Sequence, residues 1–223
     1  MPGRKAPEEQ RRETILRAAY AVAARDGLGA LTGRAVGAEA GVSSGLVFYH
    51  FATKDALLAA LLDWLLAHTL VAGELPVPLP PDATAAERMF AVVRRDVEAL
   101  PRARVRVELF FHYWVLGTRD PAIRSTIRLA LDRYRQSFLP LAEAVLTESG
   151  GPHAPGAAAG LAAVAASFVE GSALRAVLDP TGFDAAQAMT TLAAILRLPV
   201  VPAVPLRSAR RGATPDRTSR RPS

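Results

Sequence analysis

The side chains with the clearest binding chemistry lie in one stretch, residues 31–54, which combines hydroxyl, aromatic and cationic groups. Ser44 carries a hydroxyl that donates and accepts hydrogen bonds, and Lys54 carries an ammonium group that pairs with anions. Such groups bind base edges and phosphate oxygens in nucleic acids. The stretch therefore predicts a nucleic-acid-binding surface, provided that the local structure brings these side chains to one side.

Local signals predict two short helices joined by a tight turn at residues 41–43. Thr32 and Ser43 each carry a hydroxyl that can accept a backbone N–H as an N-cap. Apolar residues flank both caps in the spacing of a hydrophobic staple: Leu31 with Val36, and Val42 with Val47. Gly41 lies where the first helix must reverse, a position that favours positive φ. The pattern is that of a helix-turn-helix, which indicates DNA binding.

In such a motif the first residues of the second helix meet base edges, so we expect Ser44, Gly45, Leu46 and Phe48 to read sequence. Among these four only Ser44 offers a side-chain hydrogen bond, and apolar contacts and DNA shape should supply part of the specificity. Lys54 follows the Thr53 cap, where a cation opposes the helix dipole by about 0.3–1 kcal/mol. A bound phosphate would remove that conflict; a solvated lysine is the alternative interpretation.

The net charge of +6 is weak evidence for DNA binding because of where it lies. Residues 199–223 contain six arginines and one aspartate, and their Pro, Arg, Ser and Ala composition predicts a basic disordered tail. That tail either adds salt-sensitive affinity for phosphates or has no role. The chain has no cysteine and no signal sequence, and residues 149–169 are too weakly apolar to span a membrane, so we expect a cytoplasmic protein.

Enzymatic function finds little support. The sequence has no phosphate-binding glycine loop, no Gly-x-Ser-x-Gly and no cysteine nucleophile. Glu108 and His112 are four residues apart on one predicted helix, and His68 could join them, but a metal site needs three or four ligands in fixed geometry. We therefore expect no metal, no cofactor and no catalysis.

Periodicity predicts an all-α protein. A three-helix DNA-binding domain with the start of a fourth helix occupies residues 1–72, and a loop with four prolines follows at residues 73–81. A helical ligand-binding and dimerisation domain then occupies residues 82–198. Besides the two short helices of the motif, the predicted helices cover residues 8–25, 54–71, 84–100, 105–116, 121–148, 156–178 and 185–198. Pro101 separates the helix at 84–100 from the helix at 105–116, and Pro140 kinks the helix at 121–148.

The last two helices, residues 156–178 and 185–198, carry many small residues, which would let partner helices approach closely. They predict a homodimer through a four-helix bundle across a two-fold axis. An alanine-rich helix of a compositionally biased chain is the alternative. An apolar ligand pocket is expected among residues 84–178, with these candidate wall and anchor residues: Phe110, His112, Tyr113, Trp114, Tyr134, Phe138, Glu170 and Arg175. An aromatic pocket would suit a cation, although core packing also explains the aromatic cluster.

Residues 11–65 resemble the tetracycline-repressor (TetR) family of bacterial regulators. The resemblance rests on Ile15-Leu16, Ala18-Ala19, Gly27, Leu31-Thr32, Ala40 to Ser43, Gly45, Phe48 to Phe51, Lys54 and Leu57. It implies a groove contact for Arg34, unless that arginine is simply solvated. It also implies phosphate contacts for Tyr49, His50 and Lys54, with Thr32 and Thr53 presenting helix N-termini to the DNA backbone; packing against the fourth helix is the alternative for His50.

Two positions depart from the family pattern. Gly37 stands where alanine is usual, and Phe48 stands where a tyrosine is usual, so a phenol contact cannot be carried over to Phe48. The later part of the chain more loosely resembles the choline-responsive, BetI-like branch at Trp114, residues 119–121 and residues 170–175.

The resemblance implies a sequence-specific homodimeric repressor that a small molecule of unknown identity releases from a double-stranded DNA operator, with the fourth helix coupling the two sites. The alternatives are a helical DNA-binding regulator without an effector, or a small-molecule-binding helical protein or enzyme.

Overall fold

A computed structural model describes residues 8–69 and 79–196. The predicted basic tail and most of the predicted proline-rich loop lie outside these ranges. Within them the chain forms α-helices, one short 3₁₀ turn and no strand. The helices are α1 (Glu8–Asp26), α2 (Gly33–Ala40), α3 (Ser44–Phe51), α4 (Lys54–Thr69), α5 (Ala85–Gly117), α6 (Pro121–Ser137), α7 (Leu139–Ser149), α8 (Ala157–Leu178) and α9 (Ala185–Leu196).

The N-terminal domain, α1 to α3, is built as its local signals predict. The Thr32 hydroxyl accepts the Ala35 N–H at 3.1 Å, and the Ser43 hydroxyl accepts the Leu46 N–H at 3.2 Å. Gly41 ends α2 with φ 67°, in the left-handed region. The staple residues Leu31 and Val36 are fully buried, so each helix is both started and aimed by its own sequence.

At Gly37 the backbone of α2 lies very close to the start of α3. A Cβ at this position would lie 2.8 Å from the Val42 carbonyl oxygen and 3.2 Å from the Ser44 nitrogen. The Val42 N–H in turn donates to the Gly37 carbonyl at 2.9 Å. The absence of a side chain therefore allows α2 and the start of α3 to touch, which offsets the helix propensity that glycine lacks.

Helix α4 connects the two halves of the molecule. Leu57, Leu61 and Leu65 are buried in one apolar cluster with residues of α1, and the same cluster continues to Leu109 and Ile127 in α5 and α6. The core of the N-terminal domain thus extends past the predicted boundary at residue 72. The Thr53 hydroxyl caps α4 by accepting the Ala56 N–H at 3.1 Å.

Helix α5 corrects the prediction that Pro101 separates two helices. The helix runs without interruption through Pro101, after a Thr84–Glu87 capping box in which both reciprocal bonds are present. A proline removes one backbone hydrogen bond but does not oblige a helix to end when tertiary packing holds both sides. Here Leu100 before the proline and Val107 after it are buried together in one apolar cluster of the C-terminal domain, separate from the cluster around α4.

The segment predicted as one kinked helix over residues 121–148 is two helices that meet at Phe138. Asp120 caps α6 by accepting the Ala122 N–H at 2.8 Å, with Pro121 in the first turn. Pro140 falls in the first turn of α7, where a missing N–H costs nothing. Phe138 lies in the core between the two helices, and the break falls here because Pro140 has no N–H to donate to the Gln136 carbonyl.

Helices α8 and α9 complete the C-terminal domain. Helix α8 packs on α5, α6 and α7, and α9 packs on α5. By length and composition α8 is also apolar enough to cross a membrane. Because α8 packs against three other helices, its apolar composition is that of a helix in the core of the C-terminal domain.

Candidate DNA-binding surface and ligand cavity

The residues predicted to contact DNA lie on the outside of α2 and α3. Thr32, Arg34, Ser43, Ser44 and Gly45 are exposed. The Arg34 side chain forms no hydrogen bond or ion pair with the part of the chain that the structure describes. A guanidinium with five N–H donors and no partner among these residues is available for a guanine edge or a phosphate.

Helix α3 presents an aromatic surface around these polar groups. Tyr49 is 76% exposed and Phe48 is 46% exposed, while Leu46 is half-buried. The Phe48 ring packs directly over Gly33, because a Cβ on that glycine would overlap the ring. Phe48 is therefore held in place by α2 and offers one ring edge to the outside, which suits apolar contact with a thymine methyl.

His50 and Lys54 have protein contacts of their own. The Nε2 atom of His50 is buried without a hydrogen-bond partner among the described residues, and its ring packs edge-on against Tyr49. The Lys54 ammonium donates to the Gly29 carbonyl at 3.1 Å, which ties the start of α4 to the 3₁₀ turn Leu28–Ala30. Lys54 is exposed, so donors remain for a phosphate after this bond is made.

The turn between α3 and α4 holds a feature with no sequence signal. Ala52 has φ 52° and ψ −51°, and the Thr53 N–H donates to the Phe51 carbonyl across it. This is the strained γ-turn geometry, which a non-glycine residue rarely adopts.

Arg12 of α1 lies with its guanidinium carbon 5.0 Å from the centre of the Phe51 ring and packs over the end of α3.

The C-terminal domain has a cavity of about 350 Å³ between α5, α6 and α8, open to the outside on one side, where Trp114 is 52% exposed. Aromatic and aliphatic side chains form most of its wall: Val107, Phe110, Phe111, Trp114, Leu131, Tyr134 and Leu174. Two carboxylates, Asp96 and Glu170, also face it. The volume is at the small end of the range of about 300–1,000 Å³ that is usual for ligand pockets.

The two carboxylates differ in their partners. Asp96 accepts the Tyr134 hydroxyl at 2.8 Å and pairs with the Arg95 guanidinium at 2.7 Å, so its charge is compensated within the protein. Glu170 has no such partner among the described residues. Its side chain is exposed at the open side of the cavity, and partial loss of hydration beside the apolar wall raises the pKa of its carboxyl. Burial also raises the pKa of Tyr134, which keeps its hydroxyl a donor.

Four of the eight predicted pocket residues line this cavity: Phe110, Trp114, Tyr134 and Glu170. The other four lie outside this cavity. His112 is exposed on the far side of α5, and Arg175 lies near Asp179 in an open groove between α8 and α9. Tyr113 and Phe138 are buried in the core, because their positions turn them away from the cavity.

The sequence interpretation missed Asp96 and Leu131 and named Phe111 only as a member of the aromatic cluster. Asp96 is 38 residues from its partner Tyr134, a separation that carries no periodic signal. Phe111 and Leu131 carry the helical spacing of core residues, which does not separate a core position from a cavity wall. Within residues 8–69 and 79–196 no group of three metal-ligating side chains comes together.

Comparison with known families agrees with both halves of this arrangement. Residues 15–61 match the family described as bacterial regulatory proteins, tetR family. Residues 85–198 match the family described as BetI-type transcriptional repressor, C-terminal. An exposed helix-turn-helix joined to a helical domain of this kind defines a DNA-binding transcriptional regulator and not an enzyme. The chain belongs to the TetR family of bacterial regulatory proteins, and its C-terminal domain is of the BetI type.

Individual relatives support the assignment over most of the chain. The HTH-type transcriptional regulator BetI of Serratia proteamaculans is 26% identical over 186 residues, which cover 80% of this chain and 87% of that protein. BetI 2 of Chromohalobacter salexigens is 25% identical over 181 residues, which cover 81% and 84%.

Solved structures show the same fold. A transcriptional regulator of Pseudomonas aeruginosa PAO1 matches with a TM-score of 0.70 at 22% identity, over 86% of this chain and 91% of that one. A regulator of Saccharomonospora viridis, solved in complex with choline, matches with a TM-score of 0.63 at 23% identity, over 85% and 97%.

Proposed function

We propose that this protein is a homodimeric repressor that leaves its operator when a small organic cation binds in the C-terminal cavity. The observation that carries the proposal is the pairing of an aromatic wall with one uncompensated carboxylate, Glu170. Aromatic faces attract cations, most strongly where water is excluded, and a carboxylate supplies the counter-charge. The choline bound to the Saccharomonospora viridis regulator is a ligand of this chemical class.

DNA recognition is assigned to α2 and α3. Ser44 and Arg34 supply hydrogen bonds to base edges, with Gly45, Leu46 and Phe48 in apolar contact beside them. Tyr49, His50 and Lys54 bind phosphates, together with the helix N-termini that Thr32, Ser43 and Thr53 cap. The exposure of most of these side chains supports the assignment. The buried Nε2 of His50 limits that residue to a contact through Nδ1.

Dimerisation is assigned to α8 and α9, within the predicted ranges 156–178 and 185–198. These helices leave large apolar side chains exposed: Val164, Leu174, Leu178, Ile195 and Leu196. Two copies related by a two-fold axis would bury both sets in a four-helix bundle. Such a dimer would present two α3 helices to half-sites about one DNA turn apart. The domain division at residues 1–72 and 82–198 and a cytoplasmic location belong to the same proposal.

The decisive experiment measures operator affinity with and without choline. Fragments selected from the protein's own genome provide the operator, and binding is followed by fluorescence anisotropy. We expect a two-fold symmetric site, a dimer in sedimentation, and an operator affinity that choline lowers by about tenfold or more. The control is 3,3-dimethylbutan-1-ol, which has carbon where choline has its charged nitrogen and should have little effect.

Two results would contradict the proposal. A monomeric chain would remove the two-fold arrangement, because one α3 helix cannot span two half-sites. An operator affinity that stays constant at saturating choline would favour a regulator without this effector.

A further inference from the structure

Tyr113 joins the C-terminal domain to the connecting helix α4. Its side chain is fully buried, and its hydroxyl donates a hydrogen bond to the Leu58 carbonyl at 2.9 Å. The bond spans 55 residues and runs from α5 to the backbone of α4. A carbonyl oxygen has two lone pairs, so Leu58 can accept this bond in addition to the one within its own helix.

The same turn of α5 also forms part of the cavity wall. Successive residues of an α-helix are about 100° apart around the axis, which places Leu109 and Tyr113 on one face and Phe110 and Trp114 on the adjoining face. The first face is buried against α4, and the second lines the cavity. Any movement of this turn that follows occupation of the cavity must therefore also move Tyr113.

On its other side α4 is fixed to the N-terminal domain. The Trp64 indole N–H lies 3.0 and 3.1 Å from the two carboxylate oxygens of Glu13 in α1. The Tyr20 ring of α1 packs 5.4 Å from the Trp64 ring, centre to centre. Helix α4 thus has a polar attachment to α5 at Leu58 and another to α1 at Trp64, and a shift at the first can be passed to the second.

We propose that Tyr113 is the positioning residue through which occupation of the cavity changes the placement of α4, and hence of the two DNA-binding helices. It touches neither ligand nor DNA. Its hydroxyl holds α4 to α5, and its neighbours on the same turn touch the ligand. The inference rests on the proposed function, because it names the residue that carries the regulation of that cavity.

The buried setting supports this role for a hydroxyl. Burial, with the Asp63 carboxylate of α4 as the second cause, raises the pKa of Tyr113, so the group remains a donor over the physiological range. A phenylalanine would fill the same space but would remove this directional bond between the two helices. Apolar contact is not directional, and it would allow α4 to slide relative to α5.

The first test compares wild type with Tyr113→Phe. The measured quantity is the factor by which choline weakens operator binding. Loss of one hydrogen bond should reduce this factor by about threefold to tenfold, while choline still binds the free protein. Glu148→Ala is the control, because it removes bonds from α7 to Ala85 and Arg88 that stay within the C-terminal domain and lie outside the cavity wall. It should lower the melting temperature but leave the choline factor unchanged.

The second test needs no ligand. Ala103→Phe places a side chain inside the cavity from its own wall, and Ala99→Leu is a smaller alternative if the first variant does not fold. We expect either substitution to weaken operator binding several-fold when residue 113 is tyrosine. In the Tyr113→Phe background the effect should be at least about threefold smaller.

The outcomes separate the two proposals. If choline leaves the wild-type operator affinity unchanged, the proposed function fails, and the cavity-filling pair alone decides the role of Tyr113. The proposal for Tyr113 is overturned if the choline factor and the cavity-filling effect are each the same with phenylalanine as with tyrosine. A lower melting temperature with both effects intact identifies Tyr113 as a packing residue only.

Discussion

The N-terminal and C-terminal domains are held together by contacts of very different range. In the N-terminal domain the defining bonds join near neighbours, such as the Thr32 hydroxyl with the Ala35 N–H three residues away. In the C-terminal domain they join distant residues: the Ala85 N–H donates to Glu148 across 63 residues, and Tyr134 reaches Asp96 across 38. The DNA-binding motif is thus specified locally, whereas the cavity exists only when separate helices meet.

This difference suits DNA binding and the proposed response to a ligand. A motif that must fit a DNA groove of constant shape benefits from caps and turns that allow one local geometry. A cavity that must respond to a ligand benefits from helices that can shift relative to one another while each stays intact. We therefore expect substitutions at the caps and tight backbone contacts of the first domain to act on folding and DNA binding together. Removing a charge from the cavity wall without changing its volume should act on ligand binding alone.

The largest effect is expected at Gly37. A side chain there must push against the Val42 carbonyl and the Ser44 backbone, neither of which can move without opening the motif. Gly37→Val should lower the free energy of unfolding by about 2–3 kcal/mol and abolish operator binding. Thermal unfolding and fluorescence anisotropy measure the two effects.

Gly45→Ala is the matched control within the same motif, since its Cβ would meet only the Ser43 hydroxyl at 3.8 Å. It should raise stability by up to about 1 kcal/mol, even where the added methyl hinders DNA. If the Gly37→Val protein is as stable as wild type, the close contact at Gly37 does not fix the geometry of the motif, and the contrast between the two domains fails.

A smaller effect is expected at Glu170, in the cavity. Glu170→Gln keeps the shape but removes the counter-charge, and it should weaken choline binding by about tenfold, or about 1.4 kcal/mol, with operator affinity unchanged in the absence of choline. Quenching of tryptophan fluorescence is a suitable readout because Trp114 lines the cavity.

The pH dependence of choline binding tests the same role of Glu170. Because the pKa of Glu170 is raised, the carboxyl becomes protonated at a higher pH than that of an ordinary solvated glutamate, and protonation removes the attraction for a cation. Choline affinity should therefore rise as the pH rises through that pKa and then level off. The neighbouring Asp96 is paired with Arg95 and Tyr134, so the variant Glu170→Gln should show a flatter profile. An equally steep profile in the variant would assign the titration to another group.

The smallest effects are expected at two adjacent serines, Ser43 and Ser44, which should respond differently to alanine substitution. Ser43 caps α3 through its hydroxyl, so Ser43→Ala should cost about 1 kcal/mol of stability and weaken binding to every DNA sequence in proportion. Ser44 is exposed and makes no cap, so Ser44→Ala should keep the melting temperature and change the preferred sequence. Equal changes in stability for the two variants would contradict this division.

Sequence patterns predicted the helices well, and they failed where a proline was read without its tertiary context. Pro101 was expected to end a helix, but α5 continues because Leu100 and Val107 pack into one core on either side of it. The aromatic cluster of α5 shows the same limit. Phe110, Tyr113 and Trp114 are close in sequence, yet only the first and last line the cavity.

The sequence by itself determined the helix-turn-helix, its caps, its glycine turn and the all-helical class, because these depend on interactions between residues three to five positions apart. The tertiary structure alone decided which residues enclose the cavity, that Asp96 is neutralised while Glu170 is not, and that Tyr113 faces α4. The physical reason is that helix periodicity fixes the angle of a side chain around its own helix. It does not fix which neighbouring helix, or which empty space, that side chain meets.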